Sequence, residues 1–222
     1  MDAGRKSELE TKVYAGERLT RADGEALLGC DDLAWLGRLA HHRRTELNGD
    51  RVLFAADPDP ARELAGESPL AALLPYGKDD NHGQRLDHLI RLRDRQDETG
   101  GLVVLIPVLH QPESGDHTET AAPAESLKTF AVARLLVDNV PHVKSLWGNH
   151  GLSVAQLTLN FGADDLDGSV TDGDPTRDDL LELIWDAGFR PVERDARYEV
   201  VHEHEPAPSL AGRRSEPQKV WA

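Results

Sequence analysis

Cysteine is almost absent from this 222-residue chain, where Cys30 stands alone. A single thiol forms no internal disulfide and no cysteine cage around a metal, and a cluster held by three cysteines is excluded within one chain. Cys30 falls inside a helical pattern with no second soft ligand beside it, so it reads as a buried, inert thiol. Long apolar runs are missing as well. None approaches the roughly 20 residues of a membrane span, and the opening MDAGRKSELETK has no apolar signal core. The expectation is a cytoplasmic protein with no place in the membrane. Basic residues are outnumbered, 25 Lys and Arg against 40 Asp and Glu, for a net charge of −15. That balance opposes nonspecific binding to nucleic acid or to an anionic membrane. No glycine-rich phosphate loop and no nucleophile elbow occurs.

What is present is an alternation of helical and strand patterns. Thr20 with Asp23 has the spacing of a capping arrangement, and Asp31 precedes Leu33, Leu36 and Leu39 at helical intervals, a helix that Asn48 and Gly49 end. Residues 51–55 (RVLFA) read as a short buried strand, and a Pro- and Ala-rich connector follows at 56–75. Leu86, Leu89, Ile90 and Arg93 share one helical side up to Gly100 and Gly101. The run at 102–109, LVVLIPVL, is the strongest strand, apolar at nearly every position as a parallel strand buried on both faces requires. Leu127, Phe130, Ala131 and Leu135 mark a further helix, 143–147 a short strand, 152–161 a helix, and Thr176 caps a last helix that Gly188 ends. This order predicts an α/β fold with a parallel sheet, whose functional groups gather at the carboxyl ends of the strands. Residues 202–222, rich in Pro, Glu and Arg, have the composition of a disordered tail.

Several segments carry a resemblance in order along the chain. YAGERLTRADGEALLGCDDLAWLGRLA and NGDRVLF, then LPYGKDDNHGQRLDHLIRLRDRQDETGG, IPVLHQPE, FAVARLLVDNVPHVKSLWG, AQLTLNFGADDLDGSV and DAGFRPVERDARY resemble aminofutalosine synthase, a radical S-adenosylmethionine enzyme of the futalosine route to menaquinone. Family members follow the first strand with N-x-C-x3-C-x2-C, whose cysteines hold a 4Fe-4S cluster; here AADPDPARELAG stands at that place. The resemblance implies an incomplete β/α barrel, a half-barrel-like parallel sheet that keeps the first strand and the last three. A complete barrel takes about 250 residues. On this basis residues 1–50 form an N-terminal helical segment, 51–201 the partial barrel with its divergent connector, and 202–222 the tail. Two sheet edges would lie open, which points to a homodimer, to pairing with a full-length family member, or to covering by the connector.

At the expected strand ends stand Tyr76 with Lys78 and Asp80, His110 with Gln111 and Glu113, and Asn149 with His150. The family's usual segments here resemble YGHxET and AFHPEN. Lys78 and Gln111 replace expected histidines, while His110 and His150 occupy positions that are usually apolar. Tyr76, Lys78, Asp80, Gln111 and Asn149 are therefore candidates for binding a small nucleoside-like ligand. His110, His150 and Glu113 are candidates for acid–base chemistry or a divalent metal, the alternative being ordinary polar surface. No other cofactor is expected, and no 4Fe-4S cluster. His202 and His204 flank Glu203 and would share one side of an extended chain, or be solvated in the tail. Asp164, Asp165 and Asp167 suit turn and cap duties. The function expected is that of a degenerate family member without radical chemistry, binding a partner or ligand; the alternative is a repurposed non-radical enzyme that uses His110 and His150.

Overall fold

The computed structural model describes residues 1–55, 64–66, 68–77, 80–110, 121–168 and 175–206. Three helices open the chain, α1 (Ala3–Tyr14), α2 (Arg21–Leu28) and α3 (Leu33–Asn48), and lead into β1 (Arg51–Ala55). Thr20 and Asp23 form a reciprocal capping box that satisfies two of the orphan N–H groups at the start of α2. At α3 the cap is Asp32 rather than Asp31, its carboxylate accepting from the Trp35 N–H at 3.0 Å. Then come β2 (Ala71–Tyr76), α4 (His82–Thr99), β3 (Val104–Leu109), α5 (Pro123–Leu136), β4 (His142–Leu146), the one-turn α6 (Trp147–His150), α7 (Leu152–Thr158) and a 3-10 turn, Leu159–Phe161. The chain continues through β5 (Asp165–Asp167), α8 (Arg177–Asp186), β6 (Arg190–Arg194) and β7 (Val200–Glu203).

The seven strands make one sheet in the order β2-β3-β4-β5-β1-β6-β7, parallel throughout except for antiparallel β7. With helices flanking it, this is the incomplete β/α barrel that the sequence implies. Alternation along each strand decides which layer a residue joins. Val52, Phe54, Ala72, Leu74, Leu105, Val143 and Leu166 face the helices and build the main core with Leu27, Leu36, Phe130, Leu183 and their neighbours. The opposite, inner face carries a smaller cluster of Val104, Ile106 and Leu146, against which Tyr198 of the β6–β7 turn packs. Cys30 lies in the main core at 2% exposure.

Several elements differ from the sequence reading. β2 begins at Ala71, inside the stretch assigned to the connector, because Ala72 and Leu74 alternate into the core. The sheet holds more than a first strand and three last ones: β5, β6 and β7 are strands too. β6 occupies the side of β1 away from β5, pairing over Arg51–Ala55, so that edge of β1 is closed. His202 and Glu203 belong to β7 rather than to a tail, since they pair with Glu193 and Val192. Residues 207–222 of the expected tail lie outside the described residues. Among the described residues the edge strands are β2 and β7. On β2, Pro75 removes a donor and His88 of α4 engages the Leu73 carbonyl at 3.0 Å, two devices that blunt edge pairing.

Gly162 tests how tightly this scaffold is packed. It sits at φ +106, and a Cβ there would come within 2.6 Å of the Arg134 Cβ. Gly188 is also left-handed, at φ +90, with open space around it. Gly188→Ala should cost about 1–2 kcal/mol from backbone strain alone. Gly162→Ala should cost about 1–3 kcal/mol more, because the methyl group overpacks a wall that cannot move. Urea unfolding of the two variants checks the order.

Candidate functional site

The carboxyl ends of β2 and β3 and the turn after β4 bring together part of the expected constellation. Tyr76 closes β2 at 2% exposure, its hydroxyl 2.9 Å from Ser126 Oγ on α5 and 3.0 Å from His150 Nε2 on α6. The His150 ring stacks on Tyr76 and meets Phe130 edge-on, and its Nδ1 lies 3.0 Å from the Leu146 carbonyl. A carbonyl only accepts, so Nδ1 carries the proton and Nε2 is the ring's acceptor nitrogen, set against the Tyr76 hydroxyl. Burial pushes the His150 imidazole down to about 4, and pushes the Tyr76 phenol up. His150 is a neutral ring with both nitrogens committed to the protein.

Asn149, next along α6, performs a different task. Its side chain accepts from the Leu109 N–H at 2.7 Å and donates to the Leu109 carbonyl at 2.9 Å. Pairing between β3 and β4 covers Val104 and Leu105 only, and Pro107 lies just beyond. Past the proline, the Asn149 amide serves Leu109 as a strand neighbour would. His110 is exposed; its backbone N–H donates to the Tyr76 carbonyl at 2.7 Å. Asp80 accepts from Arg85 Nε at 2.7 Å, and Arg85 also donates to Glu125 and Thr129 of α5. Lys78, Gln111 and Glu113 lie outside the described residues. The structure thus joins Tyr76 to His150 and Asn149 to the end of β3, and holds Asp80 in a separate ion pair. Both His150 nitrogens are engaged within the protein, and no group of three His, Cys, Asp or Glu able to hold a metal occurs among the described residues, which do not include Glu113.

The densest chemistry is on the inner face, where the sequence reading assigned turn and cap duties. Asp165 and Asp167 alternate along β5 toward that face, while Leu166 turns to the core. Lys144 of β4 is the register partner of Asp165, and both are at 0% exposure. Lys144 Nζ lies 3.5 Å from Asp165 and 3.1 Å from Asp167. Arg194, at the end of β6, grips both Asp165 oxygens at 3.0 and 2.8 Å and Asp167 at 3.0 Å. The Tyr198 hydroxyl donates to Asp165 at 2.7 Å, and the Arg194 guanidinium lies over the Tyr198 ring at 4.2 Å. Burial works to raise the Asp165 carboxyl, but Arg194 and Lys144 outweigh it and hold the group below its ordinary range. One residue earlier, Asp164 accepts from buried Arg134, from the Val143 N–H at 2.8 Å and from His142 Nδ1 at 2.5 Å. The available signal was the two-residue spacing of Asp165 and Asp167 around an apolar residue. It is a strand period, but three residues are too few to read it from pattern.

No protein-family model matches this chain. It is similar to the aminodeoxyfutalosine synthase of Streptomyces coelicolor, 33% identical over a 388-position alignment that spans 99% of this chain and 100% of the relative. Since the chain has 222 residues, 388 − 222 leaves at least 166 alignment positions without a residue of this chain. It is 37% identical to the aminodeoxyfutalosine synthase of Thermus thermophilus and 35% to the cyclic dehypoxanthine futalosine synthase of Streptomyces coelicolor. Those matches take in 60% and 64% of this chain but only 41% and 39% of the relatives, about two fifths of their length. Among solved structures, the FeFe-hydrogenase maturase HydG has the same fold, with a TM-score of 0.65 at 9% identity over 86% of this chain and 76% of the maturase. The expectation that no cofactor and no 4Fe-4S cluster is involved is corrected by these relatives: the likeness is to enzymes for which the resemblance implies such a cluster. The residues of this chain do not fit that group as donors, because its one thiol, Cys30, is buried in the helical core. Among the described residues, no helix is long and apolar enough to cross a membrane.

Two outcomes follow from the site. His150 has a folded pKa near 4 against an ordinary 6.5, so the unfolded chain takes up the proton first. Its contribution is complete above pH 6.5 and is lost as pH falls toward 4, by about 3 kcal/mol in all. His150→Phe should flatten that part of the stability profile measured by urea unfolding. On the inner face, Asp165→Asn strips a carboxylate from two buried cations and should cost about 3–5 kcal/mol, whereas Tyr198→Phe, losing one hydrogen bond, should cost about 1–3 kcal/mol.

Proposed function

Because this chain belongs to the aminodeoxyfutalosine synthase family, we propose that it is a binding member of the family, a retained piece of the barrel that works through association rather than by performing the family's reaction alone. The partner is a second copy or a full-length relative, and the setting is the futalosine route to menaquinone. A small nucleoside-like ligand at the strand ends is compatible with the same reading.

The observation that carries this proposal is the self-sufficiency of the polar groups. Tyr76, His150 and Asn149 bond to one another's elements and to the backbone, while Lys144, Asp165, Asp167 and Arg194 neutralise each other on the inner face. An active site ordinarily keeps such groups poised for a reactant; these are committed to the fold. The other reading, acid–base work by His110 and His150, draws no support from a His150 whose two nitrogens are both bonded.

The test sets the purified chain beside the Streptomyces coelicolor synthase in an assay of aminodeoxyfutalosine formation, with light scattering on the chain alone and on the mixture. The expected results are no product from the chain alone and a particle heavier than the 24.4 kDa of one chain, either with itself or with the synthase. Product from the chain alone, or a monomer that ignores the synthase, contradicts the proposal.

A further inference from the structure

A second site lies at the opposite, amino-terminal end of the strands, where neither the family likeness nor the strand-end candidates assign a role. Arg51 begins β1, His142 begins β4, and Asp164 immediately precedes β5. Together with Leu53, Tyr198 and Val200 they line a cavity of about 240 Å³. A cavity of about 150 Å³ holds benzene, so this one accommodates a short organic molecule with a polar end.

Charge and hydrogen-bonding capacity specify what that molecule is. The chain carries a net −15, yet the wall behind the cavity is positive. Arg44, at 0% exposure, gives its hydrogen bonds to the carbonyls of Gly49, Arg51 and Ala163 and pairs with no carboxylate among the described residues. Arg134 is matched by Asp164. Among the described residues Arg51 is matched only by Glu203, at 2.9 Å across a half-exposed rim. A rim pair of this kind is weak and exchangeable, so Arg51 is able to accept a ligand carboxylate in place of Glu203. His142 supplies the complementary function. Its Nδ1 proton is held by Asp164 at 2.5 Å, and its ring is stacked on Tyr198 with centroids 5.2 Å apart. With Nδ1 engaged by Asp164, Nε2 is the ring nitrogen left to meet a ligand, and a hydrogen-bonding nitrogen beside a cation calls for a ligand that carries both a hydroxyl and a carboxylate. Leu53 and Val200 offer apolar contact to the short chain between them.

We propose that this cavity binds a short-chain hydroxy acid, its carboxylate on Arg51 and its hydroxyl hydrogen-bonded to His142. Isothermal titration calorimetry of the full chain with 3-hydroxybutyrate, butyrate, 3-hydroxybutyramide and inorganic phosphate tests it. The hydroxy acid should bind, butyrate about ten-fold more weakly for want of one hydrogen bond, and the amide and phosphate more weakly still. Arg51→Gln should weaken the hydroxy acid at least ten-fold, and Glu203→Gln should tighten it by freeing Arg51. Val200→Trp, which fills the mouth without touching a charge, should abolish binding in a protein whose melting temperature is retained. The proposal is overturned if the hydroxy acid gives no heat, if amide or phosphate binds as well as the acid, or if the Arg51 and Val200 variants bind like the parent.

Discussion

Two aspartates on a three-residue strand hold the two halves of this sheet together. β5 lies between β4 and β1, where the later strands β2, β3 and β4 meet the first strand of the chain. Its backbone offers few ladder bonds, since register pairing to β1 covers only Leu53 and Phe54. Side chains supply the rest. Asp165 and Asp167 draw Lys144 from β4 and Arg194 from β6 to one point, and Asp164 adds Arg134 and His142 beneath. Buried charges of this sort are costly unless every member is paired, and here each cation and carboxylate has partners. The arrangement therefore specifies one strand order more than it adds stability, because any other neighbour for β5 would strand a charge in the interior.

The same network explains why the chain retains a folded core without the stretch that its full-length relatives carry. The alignment leaves at least 166 positions, 388 − 222, unfilled, yet β1 is not left as an edge, because β6 pairs along its whole length and brings Arg194 and Tyr198 over the inner face. A sheet face that a closed barrel would turn inward is here neutralised by its own residues. That economy supports the binding role proposed for the chain, and it moves attention from the strand carboxyl ends to the amino-terminal cavity.

Much of the fold was legible because it rests on local signals. The capping boxes at Thr20 and Thr176, the glycines after α3 and α4, and the apolar run through β3 all mark their elements directly. β5 and β6 were not, because their strand character comes from charged residues whose burial only the partners explain, and β7 was not, because it is a fully exposed edge strand. Asp165 looks like a turn residue until Arg194, nearly thirty positions later, is brought beside it. The strand-end candidates were half legible: Tyr76 and His150 do meet, but a sequence does not reveal that the imidazole is buried against Phe130 and satisfied by Leu146. Asn149 was singled out as a ligand contact, and its geometry instead completes the β3 edge that Pro107 interrupts.

If the charged seam governs the sheet, β5 must be as hard to open as the strand it joins. Native-state hydrogen exchange at the amides of Leu53, which donates to the Asp164 carbonyl at 2.8 Å, and of Leu166 reads this directly. The account predicts that both exchange only through global unfolding, with the same denaturant dependence as amides of β1 paired to β6. Exchange of Leu166 through a local opening, well below the global free energy and insensitive to denaturant, would contradict it.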